Sequence, residues 1–375
     1  MKSVSSWEEP TETPDTMNKK HITLMAVALA FCSSLLAQPK ANDPTVRQVF
    51  VPKAGTLVEQ FTEEEANQIT HLTLTGKINA IDFRHLRDEF KSLQVLDLSN
   101  VSISSYAGKN GTYPERFYVY PANYVPAYAF CRQLPEQPAQ GKETLQHVIL
   151  SEKIHNIEDA AFKGCRNLRI CEIHRKKSPN LLKQALADSI TAIFIPLGCT
   201  DEYRMDKRWE TFAILEGTPL SATAQLTQME SLASALTRQG IQPKEVNFLR
   251  IEGNLSDEDF QLIRDYMPNL VSIDLQQTNA TSIPDYTFTQ KRYLLNIRLP
   301  QALKRIGQRA FSGCTRLCGT LELPATVTAL EYGAFMGCTN LRRVVATGRE
   351  ITTLGDNLFG NEENKLVYLP ATTGK

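Results

Sequence analysis

The sequence predicts an α/β solenoid in which short parallel strands stack repeat upon repeat. Three observations predict it. Phe288, Phe311, Phe335 and Phe359 follow one another at intervals of 23, 24 and 24 residues. Residues 294–317 and 317–341 are near copies: Leu299-Pro300 recurs as Leu323-Pro324, Ala310-Phe311 as Ala334-Phe335, and Gly313-Cys314 as Gly337-Cys338. Residues 69–93 align without a gap to 246–270, matching Gly76 with Gly253, Asp82-Phe83 with Asp259-Phe260 and Arg87-Asp88 with Arg264-Asp265. Self-similarity at a period of about 20–29 residues with an L-x-x-L-x-L core is the sequence form of a leucine-rich repeat. The expected fold is therefore an α/β leucine-rich repeat solenoid of two tandem modules. Each has a curved parallel sheet and a helical N-terminal unit, and the first has a closing cap.

The chain begins, on this reading, with material outside the fold. Residues 1–16 carry Glu8, Glu9, Glu12 and Asp15 and read as a misassigned start. From Met17, a short basic segment (Lys19, Lys20) precedes the apolar run 22–37. That is the pattern of a secretory signal peptide cleaved after Ala37, and the run is too short to predict a transmembrane span. Cys32 follows the large Phe31, which does not fit a lipoprotein signal. Residues 38–56 hold three prolines and read as a linker; the modules are expected at 57–218 and 219–375.

Within the first module, residues 69–93 are expected to form a strand and then a helix that buries Phe83, Leu86 and Phe90. The matching helix buries Phe260, Ile263 and Met267, with Ser256 or Asp259 as its N-cap. V-L-D-L (95–98) pairs with S-I-D-L (272–275), and V-P-A-Y-A-F (125–130) with I-P-D-Y-T-F (283–288). Between these anchors the first module carries 19 extra residues. Residues 145–168 are its clearest repeat, and 169–218 depart from the pattern. Within them a strand ending at Pro196, a helix from about Thr200 and a closing strand would be covered by Tyr203, Trp209 and Phe212, since a solenoid needs an atypical terminal unit. Residues 219–240 predict a helix with Leu226, Met229, Leu232, Ala233 and Leu236 on one face. After Leu369-Pro370 the sequence shows no second cap.

Cys165, Cys314 and Cys338 each stand three residues after a repeat phenylalanine, and Cys171 falls on a strand position; all four read as core. Cys131, Cys199 and Cys318 lack zinc spacing, and the sequence leaves open whether any cysteine pairs. Lys+Arg and Asp+Glu both number 41, a balance that excludes a dedicated nucleic-acid binder.

The unit L-x-x-L-x-L-P-x-x-V-x-x-I-x-x-x-A-F-x-G-C-x-x-L resembles the BspA-like (Treponema pallidum-type) leucine-rich repeat family of bacterial surface and secreted proteins. Residues 145–168, 294–317 and 317–341 match it closely, and looser units extend the likeness over roughly 57–375. The I-F-I-P-L-G-C-T-D-E-Y…W-E-T-F stretch is similar to the closing unit of such proteins. The resemblance implies an exported binding or adhesion protein at the cell surface. It carries no catalytic residue and no cofactor.

Two candidate binding surfaces follow from the residues. Strand positions between apolar anchors face the concave surface: Thr73, Asp97, Ile149 and Glu172 in the first module, and Arg250, Asp274, Arg298, Glu322 and Val345 in the second. Arg250, Asp274, Arg298 and Glu322 would form a ladder of alternating sign, either a polar binding strip or a self-neutralising solvated face. The insertion 104–121 carries Tyr106, Tyr113, Phe117, Tyr118 and Tyr120. Long loops on rigid scaffolds often hold function, although such a loop can also fold back and bury its rings. H-E-x-x-H, G-x-S-x-G and Walker A patterns are absent from the sequence, and its histidines are scattered over separate repeats, so no enzyme or metal site is expected. The predicted function is a non-enzymatic scaffold that binds a macromolecule, either a host or envelope protein or a glycan. The alternative is a structural or assembly component of the envelope, and the sequence does not fix the oligomeric state.

Overall fold

Alternating apolar residues at period two set the strands of this chain, and left-handed turns return the backbone between them. The computed structural model describes residues 43–113, 116–133, 139–346, 348, 351–360 and 366–368. The leader at 1–37 and the expected missing cap beyond Leu369-Pro370 lie outside the described residues.

Seven parallel strands form one sheet in chain order: β1 (Val46–Val51), β2 (His71–Ile78), β3 (Val95–Ile103), β4 (His147–Leu150), β5 (Ile170–Ile173), β6 (Ala192–Ile195) and β7 (Ile214–Glu216). A second parallel sheet contains β8 (Ser221–Leu226), β9 (Phe248–Gly253), β10 (Ser272–Thr278) and β11 (Asn296–Arg298). A third contains β12 (Gly319–Leu323), β13 (Leu341–Ala346) and β14 (Leu366–Tyr368). Two-residue strands form further parallel ladders: Tyr124–Val125 with Asn156–Ile157 and Asn180–Leu181, and Ser282–Ile283 through Arg305–Ile306 and Ala329–Leu330 to Thr353–Leu354.

The repeat phenylalanines are buried and stack along each array. Phe130 lies on Phe162 with ring centroids 5.1 Å apart, Phe288 on Phe311 at 5.0 Å, and Phe311 on Phe335 at 5.5 Å. The residue two before each phenylalanine holds a left-handed turn, with φ of 59° at Tyr128, 52° at Ala160, 60° at Tyr286 and 49° at Arg309. That turn lets the phenylalanine N–H reach the next repeat: Phe288 donates to the Ala310 carbonyl at 2.7 Å and Phe311 to Ala334 at 2.8 Å. Cys165, Cys314 and Cys338 are buried as expected. The Cys314 thiol donates to the Phe288 carbonyl at 3.0 Å, and the Cys338 thiol to Phe311 at 3.1 Å. Burial pushes the Cys165 thiol up to about 12, so it stays protonated and unreactive. The seven described cysteines are all free thiols.

Lys142 and Lys291 occupy the cysteine position of the first repeat after each helical unit, three residues before Leu145 and Leu294. There the preceding neighbour is a helix end with unsatisfied carbonyls, which a thiol is too short to reach. The Lys142 ammonium donates to the Phe90 carbonyl at 2.6 Å and to Arg87 at 3.2 Å; Lys291 donates to Arg264 at 2.7 Å. Burial pushes both lysines down to about 8.

The helices Ala80–Asp88 and Asp257–Tyr266 start alike. Asn79 and Ser256 are the N-caps, each in a reciprocal box with Asp82 or Asp259. Both aspartates are buried and also tie down the preceding segment: Asp82 accepts from the Leu57 N–H at 3.0 Å and Asp259 from Leu232 at 2.7 Å. Gly76 and Gly253 have φ of 95° and 89°, and a Cβ on either would meet the carbonyl oxygen of Val51 or Leu226 at 2.2 and 2.1 Å. A side chain at either glycine would clash with the neighbouring strand.

Three sequence expectations are corrected. The stretch read as a linker contains β1, which pairs with β2 in register from Val46 with His71 to Val51 with Gly76. Residues 219–240 are not one helix: S-A-T-A-Q-L alternates and buries Ala222, Ala224 and Leu226 as β8, Met229 is 97% exposed in the turn, and only Leu232–Arg238 is helical. Residues 169–193 do keep the repeat plan, with Gln184 in the left-handed turn (φ 53°) and Leu186 where phenylalanine stands elsewhere. In the following segment Thr200–Arg204 is a short helix as expected, Tyr203 and Trp209 are fully buried against each other at 5.1 Å, and Phe212 is partly buried.

Candidate binding surfaces

The 104–121 insertion folds into a hairpin whose connecting loop is anchored on the helical unit. Strands Tyr106–Gly108 and Tyr118–Tyr120 pair antiparallel. The Arg87 guanidinium of the Ala80–Asp88 helix donates to the carbonyls of Thr112 and Tyr128 at 3.0 and 2.9 Å. The buried Thr112 hydroxyl donates to Ala127.

Four of the five aromatic residues singled out here are spent on one another. Tyr113 stacks on Tyr118 at 4.8 Å, Tyr106 on Tyr120 at 5.9 Å, and Tyr118 meets Tyr120 edge-on at 4.9 Å. The Tyr120 hydroxyl accepts from the Tyr113 N–H at 2.7 Å. Burial pushes the Tyr118 and Tyr120 phenols above their ordinary value. Phe117 is different: it is 61% exposed, beside Val119 at 62%. Arg116 lies over the Tyr113 ring at 5.8 Å.

The concave ladder is only partly assembled. Arg250, Asp274 and Arg298 are register partners on β9, β10 and β11. Asp274 is buried and pairs with Arg298 at 3.2 Å, whereas Arg250 pairs with Glu252 of its own strand at 2.8 Å. Glu322 is exposed on β12, in the separate third sheet. Asp274 has a local structural task as well. An extra residue bulges β10 against β9, and the Asp274 carboxylate accepts from the Gln276 N–H at 3.0 Å. Asp97 does the same on β3, accepting from Ser99 at 2.8 Å. The conserved spacing of these two aspartates within the chain therefore reflects a bulge that must be satisfied.

Part of the concave face is covered by the chain itself. Ile170, Ala192, Phe194 and Leu215 of the first sheet form an apolar cluster with Phe248 and Val271 of the second, with Tyr293 and Leu295 packed against it. Phe194 and Phe248 are 1% and 2% exposed.

Sequence reading missed one charged group because its members lie in different repeats. His147 and Glu172 are diagonal neighbours on β4 and β5, 2.7 Å apart, and His174 approaches the other carboxylate oxygen at 3.9 Å. Burial alone would push the Glu172 carboxyl up, but the two histidines outweigh it and hold it below the usual value. The nearby Glu172 carboxylate raises His174. Aligning H-V-I-L with I-C-E-I as adjacent strands would have found the pair. Among the described residues no group of metal-ligating side chains is assembled, and no helix is long and apolar enough to cross a membrane.

Comparison with protein-family models finds the same repeat. The family model for the BspA type Leucine rich repeat region matches residues 131–201 and 265–374 in six copies. No curated protein matches the chain. Among solved structures, a leucine-rich repeat protein from Bacteroides ovatus is similar at 13% identity over 80% of this chain and 72% of that one, with a TM-score of 0.26. A leucine rich cell surface protein from Faecalibacterium prausnitzii is similar at 14% identity over 68% and 66%, with a TM-score of 0.16. With its repeat phenylalanines, turns and cysteines placed as that pattern requires, residues 131–201 and 265–374 of the chain are similar to the BspA type Leucine rich repeat region.

Proposed function

We propose that this chain is an exported, non-enzymatic scaffold that binds a protein or glycan at the bacterial cell surface, with the 104–121 hairpin as its principal contact. The observation that carries this reading is the contrast within the hairpin. Its tyrosines lock one another, while Phe117 and Val119 stand in solvent on a support anchored by Arg87. A pre-ordered aromatic residue binds at low entropic cost. No bond chemistry is needed; the repeats fix the hairpin and the hairpin makes the contact.

The same reading divides the chain into two tandem modules that meet near residue 219, the first closed by Tyr203 and Trp209. The paired roles of Asp82 and Asp259, Lys142 and Lys291, and Asp97 and Asp274 support it.

The experiment is binding of the chain to a panel of host matrix proteins and glycans, comparing wild type with a Phe117→Ala, Val119→Ala double variant. Both residues are exposed, so the fold is expected to be unchanged. Affinity for the captured ligand is expected to fall about tenfold or more, as for an anchor worth at least about 1.4 kcal/mol. Unchanged affinity would remove the hairpin from the account.

A further inference from the structure

Three successive repeats of the first sheet leave a polar notch of about 330 Å³ at the C-terminal ends of β3, β4 and β5. The β3 bulge contributes Ser99 and Asn100, the turn after β4 contributes Ser151, Glu152 and Lys153, and the end of β5 contributes His174. The notch lies apart from the hairpin contact proposed above and does not depend on it.

Its lining lacks the proline that follows the strand in several other repeats. Ser151 stands where Pro300 and Pro324 follow the strand leucine in other repeats. The walls are pre-formed. Asp97 pins the bulge through the Ser99 N–H at 2.8 Å, the Ser151 hydroxyl accepts from the Lys153 N–H at 3.2 Å, and the Lys153 ammonium donates to the Ser102 hydroxyl at 2.9 Å. His174 lies 3.9 Å from the Glu172 carboxylate behind it.

The chemistry of this lining selects a ligand class. Hydroxyl, amide, carboxylate, ammonium and imidazole groups converge, so donors and acceptors are both present. Glu152, Lys153 and His174 in the lining, with Asp97 and Glu172 acting on His174, place charges of both signs around the notch. The volume is at the small end of ligand sites, and the lining, with Val101 as its one apolar residue, is more polar than is usual for them. We propose that the notch binds one residue of a neutral saccharide, whose hydroxyls donate and accept in equal measure.

The test is isothermal titration of the full chain with glucose, galactose, mannose and N-acetylglucosamine separately, and with glucuronate as an anionic control. At least one neutral sugar is expected to bind. A Ser99→Ala, Asn100→Ala variant, which leaves the core untouched, is expected to bind it about tenfold more weakly, the effect of losing one or two hydrogen bonds. The Phe117→Ala, Val119→Ala variant is expected to bind the sugar like wild type, which separates this site from the hairpin. Absence of binding by every neutral sugar, binding of glucuronate alone, or equal affinity in the Ser99/Asn100 variant would overturn the proposal.

Discussion

Replacing Phe311 with alanine is expected to destabilise the chain by about 3–5 kcal/mol in urea unfolding, the range for truncating a buried phenylalanine. Phe311 is fully buried between Phe288 and Phe335, at 5.0 and 5.5 Å. Its removal takes a stacking partner from each of Phe288 and Phe335 and leaves a cavity in the middle of the stack. Repeats touch only their neighbours, so the loss cannot be spread over a larger core. Met229→Ala is the control: at 97% exposure it should change stability by less than about 0.5 kcal/mol.

The second large effect is expected at Asp82. Its carboxylate accepts from the backbone N–H groups of Gly55 at 2.6 Å, Asn79 at 2.8 Å and Leu57 at 3.0 Å, and the residue is fully buried. Asp82→Ala would leave three donors without their acceptor. Each buried unsatisfied group costs about 1–3 kcal/mol, so a loss of at least about 3 kcal/mol is expected by thermal or urea unfolding. Asp82→Asn keeps one acceptor oxygen and should recover part of it. Equal stability of wild type and the alanine variant would show that the three N–H groups find other partners, and would remove Asp82 as the tie between the first helical unit and the segment at Gly55 and Leu57.

These positions also show what the sequence made legible. Phe311 was readable because one residue type recurs at one spacing, and periodic burial leaves periodic sequence. Ser256 was readable as a cap because serine three residues before aspartate has a local cause. Strand β1 was not readable, because V-R-Q-V-F-V lacks the leucine pattern and exposes Phe50. The repeat at 169–193 was hidden because Leu186 fills the space phenylalanine fills elsewhere. Met229 misled the reading of 219–240, since it falls on a helical spacing but sits in a turn. The candidate sites were legible as locations and much less so as contacts. The insertion was marked by its length and its tyrosines, yet which rings face solvent depends on how its Thr112 is held by Arg87 and Ala127, both outside the insertion. The Glu172 group and the polar notch join residues from separate repeats, and only strand register brings them together.

The account rests on a division of labour: regular repeat positions hold the fold, and the irregular hairpin makes the contact. Hydrogen–deuterium exchange of the full chain, with and without its captured ligand, tests this most directly. Protection is predicted at residues 104–121, with little change along β9, β10 and β11. Protection of those concave strands with none in the hairpin would contradict it.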